Sequence, residues 1–224
     1  AGAIRPVGLL KTVVTPAADA SGQGETYSEL LYDAWGRVVG VKRGVDEQWS
    51  CTQYDNRGRI VSSLTSAFGD QTSAREVSNN YAVGGDPRVS SVTDAIGTVT
   101  VERDLLQRVV SYSDVHGATT SLGYDDTFPT AVSSAVTVVP GFGQTRLDYS
   151  YDSEGRLAQV FLDGALISQA SYQSDGWLAE VSFPSTNGAV GNGSRFTGMT
   201  YGAGGVLNGF EIHFADEQPV YRQE

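Results

Sequence analysis

The chain has 224 residues, 40% of them hydrophobic and only 18% charged, which excludes an intrinsically disordered segment and leaves room for a substantial core. A formal net charge of −11, from 26 acids against 15 bases, makes a nucleic-acid partner electrostatically unfavourable, because phosphates need Lys and Arg to neutralise them. The 27 glycines and 11 tyrosines, beside one Met and one Cys, favour strands and tight turns over helices.

Residues 1–26 read as an irregular flank. They lack the basic start and long apolar run of a signal peptide, and the chain has no initiator Met, so it reads as a piece of a longer polypeptide. No stretch approaches the roughly twenty apolar residues of a membrane helix, so no membrane insertion is expected. From about residue 27 to 214 an internal repeat takes over. Its intact form is Tyr-Asp-x-x-Gly-Arg, seen first at Tyr32, Asp33, Gly36 and Arg37, and again at Tyr54, Asp55, Gly58 and Arg59. Degenerate copies follow at Tyr81-Ala82-Val83-Gly84-Gly85, at Arg103-Asp104 with Arg108, and at Tyr124-Asp125. The third intact copy is Tyr151, Asp152, Gly155 and Arg156; Tyr172 with Gly176, and Tyr201 with Gly205, are partial. Chance would supply roughly 0.005 copies of those four fixed residues at this composition. About eight starts, 21 to 29 residues apart, define one repeat array with variable loops over residues 1–224, closed by a second irregular flank at 215–224.

Each copy reads as a hairpin. Asp opens the turn and accepts hydrogen bonds from backbone N–H groups two residues on. Gly, four residues after the Tyr, takes the positive φ that a type I turn followed by a bulge requires. The flanks alternate with period two: Leu147, Tyr149 and Tyr151 before one turn, and Trp177, Ala179, Val181 and Phe183 after another. Asp94 to Gly97, Asp114 to Gly117 and Asp163-Gly164 supply mid-repeat turns, so a unit is two strands and two turns. Leu30 to Val41 is apolar enough for a helix, but Gly36 and Gly40 would each cost it about 1 kcal/mol.

These motifs resemble the Rhs/YD-repeat family, which includes bacterial Rhs and wall-associated polymorphic toxins, the B and C components of Tc toxins, and teneurins. The resemblance covers nearly the whole chain. It implies an all-β fold in which tandem YD-repeat hairpins form a twisted, spiralling sheet, a segment of a hollow β-shell or barrel. It also implies a secreted or cell-surface protein, flanking repeats in the same polypeptide, and a C-terminal toxin domain enclosed by the shell. The chain has no match to the family's self-cleaving core segment, so any toxin domain is expected beyond Glu224.

The functional expectation is a non-catalytic scaffold, with cell-surface adhesion or carbohydrate binding as the alternative. The motif tyrosines are expected to pack their rings against neighbouring repeats and form a ladder along the sheet. Trp35, Trp49 and Trp177 are the candidates for stacking on a glycan. The motif aspartates read as turn caps, since no stretch has the spaced oxygen ligands and closing Glu of a calcium loop. Cys51, His116 and His213 lack the paired spacing of a metal site, with His213 expected on a solvent-facing strand position. Neither histidine forms part of a nucleophile–base arrangement, so no enzyme activity, cofactor or metal is expected. Gly191-Asn192-Gly193-Ser194 lacks the Lys and following helix of a phosphate loop and reads as a flexible loop; Asn192-Gly193-Ser194 is also a glycosylation triplet. A short array leaves open sheet edges, so flanking repeats or self-association are expected to cover them.

Overall fold

The computed structural model describes residues 8–16, 26–44, 48–67, 73–215 and the backbone of 219–223. The chain divides into two compact units, Ala1–Glu102 with Asp114–His116, and Arg103–Ser113 with Gly117–Glu224. The first carries β1 (Thr12–Thr15), β2 (Thr26–Tyr32), β3 (Val38–Arg43), β4 (Ser50–Tyr54), β5 (Ile60–Thr65), β6 (Arg75–Asn80), β7 (Val89–Thr93) and β8 (Thr98–Arg103), whose last residue crosses the boundary. Within it each strand pairs antiparallel with the next.

The second unit carries β9 (Val109–Ser113), β10 (Thr119–Tyr124), β11 (Val132–Val139), β12 (Gly143–Tyr151), β13 (Leu157–Leu162), β14 (Ala165–Tyr172), β15 (Leu178–Ser182), β16 (Arg195–Tyr201), β17 (Leu207–His213) and β18 (Pro219–Gln223). It is the same antiparallel meander. The fold is therefore all-β and built from repeated hairpins. Among the described residues the one helical piece is a turn of 3-10 helix, Val83–Gly85. The apolar stretch Leu30 to Val41 is the hairpin of β2 and β3, closed where Gly36 would have broken a helix.

In the first motif the Gly36 N–H donates to the Asp33 carbonyl and the Asp33 N–H to the Arg37 carbonyl, both at 3.0 Å. Gly36 has φ +78°, which completes a type I turn followed by a bulge. Tyr32 then faces Val38 while Leu31 faces Gly40, so Val39 is the extra residue. The bulge recurs after Tyr54, Tyr151, Tyr172 and Tyr201. It corrects one strand pattern. Tyr172 faces Leu178 and Ser171 faces Glu180, so Ala179 is supernumerary and Trp177, Ala179, Val181 and Phe183 do not share a face. One inserted residue flips all that follow to the other side of the sheet.

Two further expectations are corrected at the flanks. Residues 12–15 form β1 and residues 219–223 form β18, so neither flank is irregular throughout. The β-branched run Thr12-Val13-Val14-Thr15 suits a pleated strand, and it pairs with β2 in register from Thr12 opposite Glu29.

Among the described residues no apolar side chain is fully buried. Cohesion in such a sheet has to come from contacts between neighbouring strands.

One motif position carries backbone strain. Gln107 stands where the intact motif has Gly and adopts φ +65°. Left-handed backbone costs a side-chain-bearing residue roughly 1–2 kcal/mol, and Gly forfeits part of that gain through its freer unfolded state. Gln107→Gly is therefore expected to raise stability by about 0.5–1 kcal/mol in urea unfolding. Gly155→Ala should lower it by more than that, because an added Cβ would lie 2.9 Å from the Phe128 ring as well as sitting at φ +79°.

Candidate functional site

The motif side chains form one connected device. In the first copy, Asp33 Oδ1 accepts the Trp35 and Arg37 N–H groups at 2.9 and 3.0 Å, and Oδ2 accepts Arg37 Nε at 2.7 Å. Asp55 with Arg59, Asp104 with Arg108 and Asp152 with Arg156 repeat this, each with the Nε contact at 2.7 Å. The carboxylate thus closes the turn with one oxygen and aims the guanidinium with the other.

The aimed guanidinium covers the tyrosine of the next repeat. Arg37 lies 4.3 Å from the Tyr54 ring centre and Arg59 4.1 Å from Tyr81, both in the first unit. In the second unit Arg108 lies 4.2 Å from Tyr124 and Arg156 4.4 Å from Tyr172. Distances this short are those of cation–π contact. The hydroxyl of each covered tyrosine reaches the same backbone point, the carbonyl of the residue after the preceding Arg. Tyr54 donates to Val38, Tyr81 to Ile60, Tyr124 to Val109 and Tyr172 to Leu157, at 2.7 to 3.0 Å. The expected ladder of tyrosine on tyrosine is therefore replaced by one of alternating guanidinium and phenol. The rings stand one repeat apart, and the Arg fills the interval.

The degenerate copies keep the geometry with other atoms. After Asp125 the turn is longer and has no Arg, and Phe128 meets the Tyr151 ring edge-to-face at 6.4 Å. Trp177 stands in the Arg place after Tyr172 and stacks on Tyr201 at 5.2 Å. Tyr151 and Tyr201 still donate to Val132 and Leu178, at 2.6 and 2.9 Å. In the Tyr172 copy Gln173 replaces Asp, and its amide donates instead to the Met199 carbonyl at 3.1 Å. Before Tyr32, Gly8 has φ +92° and the Leu10 carbonyl accepts the Tyr32 hydroxyl at 2.7 Å, so residues 8–10 behave as the end of an earlier motif. Sequence reasoning missed this copy because its only signal is Gly followed by two apolar residues.

The electrostatics follow from the clamps. The Asp55 and Asp152 carboxyls lie below the ordinary range, chiefly through the Arg59 and Arg156 N–H groups and then the guanidinium bonds. For Asp33 and Asp104 the largest single influence is burial, which pushes upward; the hydrogen bonds from Arg37 and Arg108 together outweigh it and hold the carboxyls low. Asp86 rebuilds the pair outside the motif. Its guanidinium bond to Arg88, at 2.7 Å, is the main reason that its carboxyl is held down to about 2.

The glycan candidates stand in different local settings, Trp35 and Trp49 in the first unit and Trp177 in the second. Trp35 projects from a turn at 77% exposure with Arg37 beside it, Trp49 lies against Gly40, and Trp177 is occupied by Tyr201. His213 is not solvent-facing: its side chain is 13% exposed and sits 3.3 Å from Glu211 on the same strand. Cys51 is exposed on β4. Among the described residues no three His, Cys, Asp or Glu side chains form a metal-holding group.

Neither a family model nor a curated protein matches this sequence. A crystal structure of TcdB2-TccC3-Cdc42 is 13% identical with a TM-score of 0.38, over 83% of this chain and 12% of that one. The Photorhabdus luminescens Tc holotoxin pore is 11% identical with a TM-score of 0.27, over 88% of this chain and 17% of that one. A porin-like protein from Bacteroides uniformis is 13% identical with a TM-score of 0.39, over 94% and 93% of the two chains. This chain thus spans a small part of the first two. At such identities and scores the common ground is β-rich architecture, and nothing finer.

Two measurements test the site. Tyr151→Phe removes a bond to the Val132 carbonyl in a half-buried setting and should cost about 1 kcal/mol in urea unfolding, whereas Tyr149→Phe on the same strand should cost nothing measurable. Carboxyls held low in the folded state contribute stability that is complete above the unfolded value, near 3.8, and lost as pH falls through the folded one. The melting midpoint should therefore hold above about pH 4 and drop steadily toward pH 2. A flat profile down to pH 2 would contradict the clamp.

Proposed function

We propose that this chain is a non-catalytic scaffold, a segment of the β-shell of a secreted or surface-displayed Rhs/YD-repeat polymorphic toxin. The observation that carries the reading is where the motif's chemistry goes. Each intact motif spends its carboxylate on its own turn and arginine, and that arginine on the ring of the next repeat. Such a motif joins repeats end to end, and an array of them extends by adding copies. The incompletely buried apolar side chains support the same reading. Leu122, Ala135, Leu147 and Leu157 line one open hollow of the second unit with Tyr149 and Tyr151.

In this proposal the apolar face turns inward once further repeats curl the sheet, and the enclosed C-terminal domain lies beyond this segment. The partners are then flanking repeats of the same polypeptide, which cover the open strand edges. Negative-stain microscopy of the natural polypeptide that contains this segment tests the proposal. Hollow particles of a chain much longer than 224 residues are the expected result. A free-standing product ending at Glu224, or a solid particle with no lumen, would refute it.

A further inference from the structure

The chain holds three Asn-Gly pairs, at Asn187-Gly188, Asn192-Gly193 and Asn208-Gly209. Asn followed by Gly is the pairing most open to attack on the side-chain amide, because Gly offers no side chain to block its own backbone nitrogen. The fold treats the three differently.

Asn192 is locked. Its Oδ1 accepts the Ser194 N–H at 3.0 Å and the Ser194 hydroxyl at 2.6 Å, and the Gly193 N–H is tied to the Phe183 carbonyl at 2.7 Å. Ser194 is itself buried, at 7% exposure, so the glycosylation triplet does not present its hydroxyl. Gly209 is buried within β17 opposite Thr200, which holds the Asn208 pair in extended strand. Asn187 differs on every count. It tops an exposed turn closed by the Ala189 N–H on the Thr186 carbonyl at 3.1 Å, with φ +58° at Asn187 and +81° at Gly188. Among the described residues its side chain has no hydrogen-bond partner, the Gly188 N–H has none, and nothing lies within 4 Å of the Gly188 Cβ position.

We infer that Asn187 is a site of spontaneous, structure-selected modification, in which the chain converts its own neutral amide to a carboxylate. The Gly188 backbone nitrogen forms a bond to Asn187 Cγ and gives up its proton, the Cγ–NH2 bond breaks, and ammonia leaves. The resulting succinimide takes up one water at either carbonyl, giving aspartate or isoaspartate. Nothing is oxidised or reduced, and water is the sole co-reactant. Both products add a negative charge, and isoaspartate also inserts a methylene into the main chain of the β15–β16 connection. The turn lies at the end of these strands opposite to the Leu178–Tyr201 contact, so the ladder is left intact.

The test is incubation of the folded chain at pH 8.5 and 37 °C in 18O-labelled water, followed by peptide mapping. The same protocol in urea gives the unfolded reference. In the folded chain Asn187 should convert about tenfold or more faster than Asn192 or Asn208, whose hydrogen bonds must first open. In urea the three rates should converge. An isoaspartate-specific methyltransferase should label the folded product at this one site, and Asn187→Gln should remove the label, with a small drop in the melting midpoint from the left-handed strain that Gln also bears at position 107. Equal folded rates at the three pairs, or Asn192 leading, would overturn the inference. So would an unmodified Asn187 in a chain whose urea control reacts.

Discussion

The structure depends on a relay of three side chains, in which a carboxylate fixes a guanidinium and the guanidinium fixes the phenol of the next repeat. A sheet in which no described apolar side chain is fully buried has little apolar area to hold it, and its hairpins are individually weak. The relay supplies cohesion from one hairpin to the next. Asp33 removes two unsatisfied N–H groups from its turn, Arg37 is held flat by its Nε contact, and Tyr54 is gripped on its face by Arg37 and at its hydroxyl by the Val38 carbonyl. The same three atoms of contact then recur at the next copy. Local turn chemistry and long-range cohesion are thus the same interaction, which is why a spacing of only six residues can organise the array.

The degenerate copies identify what the position requires. Phe128 and Trp177 share no charge with Arg, yet each sets a flat group against the following tyrosine. The hydroxyl contact survives at Tyr151 and Tyr201 beside either substitute. A flat group against the ring, face-on or edge-on, is therefore the tolerant element, and the tyrosine hydroxyl on the backbone carbonyl is the stricter one. Arginine meets the first demand while also bonding to the turn carboxylate, so the intact motif is the form in which both halves reinforce each other.

Much of this is legible in the residues. Asp and Gly three apart mark the turn, and Gly36, Gly58 and Gly155 do carry positive φ, as does Gly176 in the copy where Gln173 replaces Asp. The mid-repeat turn at Asp163-Gly164 is equally plain, with φ of 49° and 83°. The role of Arg is hidden because its partner is 16 to 22 residues away in sequence, across a loop of variable length. Trp177 reads as a candidate sugar platform for the same reason: its cover, Tyr201, belongs to the following repeat. Strand faces beyond the turn are misread because a bulge carries no residue signature once Gly has already been assigned to the turn. The strands β1 and β18 escape notice because neither contains a motif.

This view sets the functional residues apart from any single pocket. The chemistry is distributed along the motif edge, and each copy matters through its neighbours. Loss at one joint should weaken the two hairpins that meet there and leave distant joints largely unaffected.

The most direct test of the relay is a double-mutant cycle on Arg156 and Tyr172, the pair held at 4.4 Å, read by urea unfolding of Arg156→Ala, Tyr172→Ala and the double variant. If guanidinium and ring act as one joint, the double variant loses distinctly less stability than the two single losses added together. Strict additivity, as for two independent residues, would contradict the account at its base.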